Sequence, residues 1–508
     1  MTRASIRSAS VIGADGHLLT VEADIGAGLA ATHLLGLPTS AGAETRDRVR
    51  AAVINSGFTW PDLRITVSVF PQNLPSKGPA VDLAVAVTIL AASGQIPVTA
   101  LAGALAIGEL GLDGRLRYVR GALPMVAAAA DSGLKVAIVP PANAAETDLV
   151  PGITVASVRS LSELVTWLTT GELPVVCDQD PPGGSDGCAD ATLQEPDTDL
   201  ADLPASYGEA RYALEVCAAG GHHLMVYGQP GSPAHMLAER LPGLLPPLET
   251  QAVYEVAAIY SIAGRPAPAR PPVAAPAPTT TPTGMLGSAW RGGRPGAASL
   301  AHRGVLLLPD AADFPVQVLN GLPQPMMSGQ VSLTSSSMTV QLPARFQLAG
   351  TTRLCPCGSA EQAQSCTCTP ATKRRYQARL SRLLEAVEVR AHVEPVPAGR
   401  VPGRAAGEST AVVAHRVRAA RQRASARLAH LPWVTNAEVP AVELRTTFRA
   451  DDQALKVLAA AADTGVLTAP MLPQVLRVAW TVADLRGARR PGRAEAQTAL
   501  GLLTGRPS

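Results

Sequence analysis

The apolar and polar positions of this chain change character along its length, and the changes divide it. Ile65 to Pro71 (ITVSVFP) predicts a strand, and Val81 to Gly94 (VDLAVAVTILAASG) predicts a helix that ends at its glycine. Two later runs, KVAIVP (135–140) and ITVASV (153–158), read as buried strands. This is α/β texture, of the split-βαβ kind, over residues 1–170. From 171 to 203 the chain turns acidic and rich in Pro, Gly and Asp (CDQDPPGGSDGCADATLQEPDTD), with too little apolar content to fold alone. It reads as a linker.

Beyond the linker, Tyr207 to Gly221 predicts a helix and HLMVYG (223–228) a short strand. A turn rich in Gly and Pro follows, then a second helix over AHMLAERLPGLL (234–245). Strand, glycine turn and helix frame a phosphate-binding loop. The Pro/Ala/Thr-rich stretch Arg265 to Gly284 predicts an exposed insertion loop. The end of the chain is helical: DDQALKVLAAAADTGVL (451–467), a proline break, then QVLRVAWTVADL (474–485) with its apolar residues on one face. These patterns give a core over 204–395 and a helical domain over 396–508.

At 508 residues the chain exceeds one hydrophobic core, in keeping with about three domains. Apolar residues make up 47% but aromatics only 3%, so the cores must be built from Ala, Val and Leu. Lys plus Arg (43) nearly balance Asp plus Glu (41), so a polyanion partner would need a local basic surface. Two candidates exist, KRRYQAR (373–379) and HRVRAARQRASARLAH (415–430). DNA contact is the functional reading and a solvated helix face the ordinary one. With no charge-free apolar run of about 18 residues and no secretory leader pattern, a cytoplasmic protein without a membrane span is expected.

Seven cysteines in so long a chain suggest no disulfide framework, yet Cys355, Cys357, Cys366 and Cys368 crowd into one C-x-C-x8-C-x-C cluster. Two close pairs across a short loop can set four thiolates tetrahedrally around a structural zinc ion. Adventitious disulfides or free thiols on an exposed loop are the alternative. Cys177, Cys188 and Cys217 show no ligand spacing. His222, His223 and His302 read as fold residues.

Many ordered segments together resemble the YifB/ComM family of magnesium-chelatase-like AAA+ ATPases. They run from VIGADGHLLTVEADIGAGL, RDRVRAAVINSGF and KGPAVDLAVAVTILAASGQIP through GELGLDGRLRYVRGALP, LEVCAAGGHHLMVYG and SLAHRGVLLLP. LPARFQLAG, CPCG with CTCTP, RRYQARLS, NAEVPAVELR and VLRVAWTVADL complete the likeness over almost the whole chain. The resemblance implies a Lon-protease-like amino-terminal domain, a P-loop AAA+ core with a parallel sheet and a small carboxy-terminal helical domain. It further implies ATP as cofactor, a hexameric ring of like or mixed subunits, and, through ComM, DNA branch migration during natural transformation.

The charge-handling positions depart from that family. The loop G-x-x-x-x-G-K-[ST] reads Gly228-Gln229-Pro230-Gly231-Ser232-Pro233-Ala234-His235. Pro233 replaces the last glycine, Ala234 the lysine that neutralises β/γ charge, and His235 the hydroxyl that holds Mg²⁺. The Asp-Glu expected after an apolar strand reads Pro309-Asp310, and the sensor asparagine reads Arg353. The arginine that reaches a neighbouring subunit is Ala386, and that of the carboxy-terminal Ser-Ala-Arg is Pro470. The Lon-type Ser-Lys dyad is missing as well, an absence the family shares: near Lys77-Gly78-Pro79-Ala80 the serine position is Ala80, and the lysine position is Leu123. The expectation is a pseudo-ATPase with an assembly or DNA-processing accessory role. An ATP-driven DNA motor is the rival, and magnesium chelation ranks last.

Overall fold

The computed structural model describes residues 2–72, 74, 78–171, 198–336, 338–357, 366–395 and 407–505. The amino-terminal part is a mixed sheet of β1 (Thr2–Ile12), β2 (Asp15–Gly26), β3 (Ala31–Leu35), β4 (Arg64–Phe70), β5 (Ala104–Ala106), β6 (Val136–Val139) and β7 (Thr154–Ser157). Its order is β3-β4-β2-β1-β5-β6-β7. β1, β2 and β4 run antiparallel to their neighbours among themselves, and the other pairings are parallel. The expected strand at Ile65 is β4, with Ile65, Val67 and Val69 fully buried. Helices α1 (Thr39–Asn55), α2 (Asp82–Ala92) and α3 (Ala122–Asp131) complete this layer. Every residue of α2 is buried, which is why its sequence is apolar all round.

The second sheet follows. Helix α4 (Gly208–Gly220) leads into β8 (Leu224–Gly228), the loop, and α5 (Ala234–Ala238); α6 (Thr250–Ala263) then precedes β9 (Val273–Ala274) and β10 (Val305–Leu308). A hairpin of β11 (Gln330–Thr334) and β12 (Thr339–Pro343) stands before β13 (Gln347–Thr352), α7 (Pro370–Leu384) and β14 (Val389–Val393). The sheet order is β9-β10-β13-β8-β14, all parallel. Such a sheet is covered on both faces, so β10 reads VLLL and buries all four residues. Helices α8 (Thr410–Leu428), α9 (Asp452–Asp463), α10 (Leu472–Arg486) and α11 (Arg493–Thr504) pack on α4 and β14 as the helical part. Trp480 of α10 anchors it, donating Nε1–H to Phe448 O (2.8 Å) under the Arg427 guanidinium.

Three expectations are corrected. The helix over 234–245 breaks after Ala238, because Pro242 has no N–H and its ring excludes the carbonyl four residues back; a separate turn, Leu241–Leu244, follows. The stretch from Arg265 to Gly284 is no mere loop. Val273 and Ala274 pair with Val305 and Leu306 at the sheet edge, where neighbouring prolines cost no ladder bond. Finally, the end of the expected linker packs on the core: Leu200 and Leu203 are buried, and Arg211 donates to both carbonyls. Residues 172–197, with Cys177 and Cys188, lie outside the described residues.

Candidate functional site

Parallel strands deliver their carboxy-terminal ends to one edge of the sheet, and the loop after β8 opens there. Gly231 takes φ +84°, a conformation that favours glycine. Of the five residues Gln229 to Pro233, Pro230 and Pro233 have no N–H, and the Ser232 N–H closes a turn onto Gln229 O (2.9 Å). The Ser232 side chain folds back against Gly228, where any Cβ would collide with it, and its Oγ is buried without a partner. Helix α5 is five residues long and carries no side-chain cap, so the positive end of its dipole is small. The loop therefore has the outline of a phosphate cradle and few of its donors.

Asp310 sits at the end of β10 in the left-handed region (φ 46°), its N–H donated to Thr351 Oγ1 (3.0 Å). His235 approaches from α5, Nε2 3.5 Å from Asp310 Oδ2 and Nδ1 3.4 Å from Thr351 Oγ1. Arg353 approaches from the end of β13, Nε 3.9 Å from Asp310 and Nη2 3.1 Å from Asp313. The structure thus brings the loop, Asp310 and Arg353 together. It adds Thr351 and Asp313, which sequence reasoning passed over although they stand two and three residues from the named positions. The surviving carboxylate lies between an imidazole and a guanidinium. At the loop's lysine and hydroxyl positions stand Ala234 and His235, and Asp313 on Arg353 is the second carboxylate of the group.

Ala386 and Pro470 are not part of this group. Ala386 precedes β14, at the opposite edge of the sheet, and Gln474 Nε2 donates to Glu385 O (2.7 Å), drawing the start of α10 to the same place. Both line a cleft of about 1300 Å³ between the core and the helical part. Before folding, that cleft shows only as arginines spaced along α8 and α10.

The four cysteines converge. Cys357 Sγ lies 3.4 Å from Cys355 Sγ and 3.5 Å from Cys366 Sγ, and Cys355 and Cys366 are 3.7 Å apart. All four sulfurs fall within 4.8 Å of one another. Thiolates about 2.3 Å from zinc form a tetrahedron with edges of about 3.8 Å, so the set fits that ion. A metal here would tie the end of β13 to the start of α7, where Thr369 caps the helix by accepting from Thr372 N (3.2 Å). Arg353 joins the two sites, since its Nη1 also donates to Pro356 O, between the first two cysteines.

The basic segments fare differently. On α8, Arg416 pairs with Glu215 and Glu408, Arg421 and Arg423 donate to Ala218 O and Asp484 O, and Arg427 pairs with Asp484. Arg416 and Arg427 are thus ion-paired, whereas Arg421 and Arg423 hold backbone carbonyls and keep their charge, and Arg418 is exposed. On α7, Arg379 holds Ala312 O and Phe314 O, while Arg374, Arg375 and Arg382 are exposed. The histidines are framework. Buried His222 meets Thr481 Oγ1 (2.7 Å), and His223 and His302 accept from Leu348 N and Arg345 N. Burial lowers the His222 pKa to about 4. Ala80 and Leu123 lie in one apolar cluster, so the positions of the dyad carry no hydroxyl and no amine; Lys77 lies outside the described residues.

Three family models match: subunit ChlI of Mg-chelatase over residues 21–143, magnesium chelatase subunit ChlI over 199–401, and its carboxy-terminal region over 407–502. An uncharacterized protein of Mycobacterium tuberculosis is 42% identical over 97% of both chains. YifB of Escherichia coli is 33% identical over 96% of this chain and 94% of its own. The competence protein ComM of Haemophilus influenzae is 31% identical over 99% and 97%. No described helix is long and apolar enough to cross a membrane. With a parallel-sheet core, a helical carboxy-terminal part and likeness along nearly its full length, this chain belongs to the YifB/ComM family of magnesium-chelatase-like AAA+ proteins.

Proposed function

We propose that this chain is a non-hydrolysing member of its family, a cytoplasmic pseudo-ATPase that serves a ring assembly as an accessory to DNA processing. The observation that carries this reading is the pairing of Asp310 with His235 and Arg353. An imidazole and a guanidinium stand at the position where a magnesium ion would need an unpaired carboxylate and a hydroxyl. Losing the lysine, the hydroxyl and the metal acid together removes charge-assisted contacts worth about 1.5–3 kcal/mol each. The four cysteines hold a structural zinc ion, and the exposed arginines of α7 beside it supply phosphate contacts to DNA without base reading.

The test is phosphate release from Mg-ATP by the full-length chain, with and without single- and double-stranded DNA. No release above the protein-free rate is expected. DNA-stimulated release that disappears in Gly231→Pro would establish the motor reading instead. Arg375→Glu with Arg382→Glu should weaken DNA binding and flatten its salt dependence by roughly two phosphate contacts.

A further inference from the structure

The cleft at the opposite edge of the core sheet holds charge that the fold does not use. Five arginines line it: Arg303, Arg345, Arg418, Arg421 and Arg477. Two are paired, Arg303 with Glu255 (2.8 Å) and Arg345 with Glu438 (3.3 Å). Arg421 and Arg477 each spend Nε on a backbone carbonyl, Ala218 O and Val439 O, both at 2.8 Å. Arg418 is exposed, and among the described residues none of these last three has a carboxylate within ion-pair distance. Burial lowers Arg421 to about 10 and lowers Arg477 as well, so both sit where a bare cation is costly.

Of the carboxylates on the wall, Glu438 is held by Arg345 and Val434 N, and Glu388 accepts from His223 N. Glu249 and Glu385 are the others; they temper the field and favour a compact anion over a long polyanion. The rest of the lining mixes polar side chains such as Gln422 and Gln474 with apolar ones, among them Trp433, Phe346 and Met326. A cleft of about 1300 Å³ has room for a nucleotide-sized ligand with solvent.

We propose that this cleft binds a phosphorylated small molecule of the nucleotide class, its phosphates on Arg418, Arg421 and Arg477 and its aromatic part against Trp433 and Phe346. The site is separate from the loop after β8 and needs none of that loop's donors. Guanidiniums suit it because their planar forks take phosphate oxygens two at a time.

Calorimetric titration of the full-length chain with tripolyphosphate and with ATP, both without Mg²⁺, tests it. Both should bind, ATP at least tenfold more tightly. Arg418→Glu, which removes no bond within the chain, should weaken both at least tenfold without moving Tm. Trp433→Ala should bring ATP down to the affinity of tripolyphosphate. Arg421→Gln should abolish binding; if that variant unfolds, Arg418→Glu decides alone. Absence of binding, binding indifferent to Arg418→Glu, or binding lost in Gly231→Pro would each overturn the proposal. Phosphate release is a separate readout, so the pseudo-ATPase reading can stand or fall without the cleft.

Discussion

Strand β10 has a histidine, an arginine and a carboxylate clustered at each end. At its start, Glu255 of α6 takes His302 Nε2 at 3.1 Å and Arg303 Nε at 2.8 Å, and His302 Nδ1 accepts from Arg345 N. Every polar atom of that ring is used, and the His302 side chain is 6% exposed. The His302 hydrogen bond, and then Arg303, hold the Glu255 carboxyl down at about 2. At the strand's other end, Asp310 has His235 at 3.5 Å and Arg353 at 3.9 Å, with His235 and Asp310 side chains 48% and 43% exposed. The residue types are the same and the physics is not. One cluster is largely buried and braces the fold; the other is half-exposed and held by longer contacts.

The exposed end still contains one tight element, the cysteine cluster, and the largest expected effect lies there. If it holds zinc at a thousand times its Kd, the ion contributes about 4 kcal/mol, and chelation should lower the core's Tm by on the order of 10 °C. Metal analysis should find one zinc per chain, and Cys355→Ser should lose it. A chain that contains no zinc, and whose melting ignores chelator, would place the cysteines with the loosely held groups around Asp310.

Next in size is the braced end. Glu255→Gln removes the carboxylate charge from a mostly buried pair and leaves His302 and Arg303 a neutral amide oxygen in its place, for a loss of about 3 kcal/mol by denaturant unfolding. The pH dependence follows from the depressed carboxyl. Its stabilisation is fully present above the ordinary carboxylate range near 4.5 and fades as pH falls toward 2. Parent and variant should therefore converge in strongly acid solution, and a difference constant with pH would break the comparison.

Rebuilding the loop comes third. Pro233→Gly, Ala234→Lys and His235→Thr together return a backbone donor, a cation and a hydroxyl, and remove one partner of Asp310. Mg-ATP affinity should rise ten- to hundredfold, equal to one or two charge-assisted contacts. Turnover should stay absent until Pro309→Asp and Asp310→Glu restore the metal acid and the water-activating carboxylate. The readouts are calorimetric titration and phosphate release.

Why the two ends read so differently from sequence is itself physical. β4, α2, α10 and the cysteine cluster were legible because period, apolar content and spacing are local properties. The broken α5 was legible in principle, since Pro242 stands in the pattern, but the apolar run on either side masked it. β9 was not, because a two-residue edge strand among prolines gets its identity from Val305 and Leu306, thirty-two residues away in sequence. The cleft was least visible of all. Arg421 and Arg477 come from different helices, and only packing makes them neighbours of Trp433 and Phe346.

The smallest effect is the most telling for Asp310. Its contacts to His235 and Arg353 are long and near solvent, and exposed pairs of this kind contribute about 0–1 kcal/mol. Asp310→Asn keeps the shape, and its backbone N–H to Thr351 Oγ1 remains. Chemical denaturation should therefore shift by less than about 1 kcal/mol, a third of the Glu255→Gln loss or smaller. A loss as large as that at Glu255 would mean that His235 and Arg353 around Asp310 have become a brace in their own right. The exposed end would then have been rebuilt as framework, and restoring the loop would unfold the chain before it captured ATP.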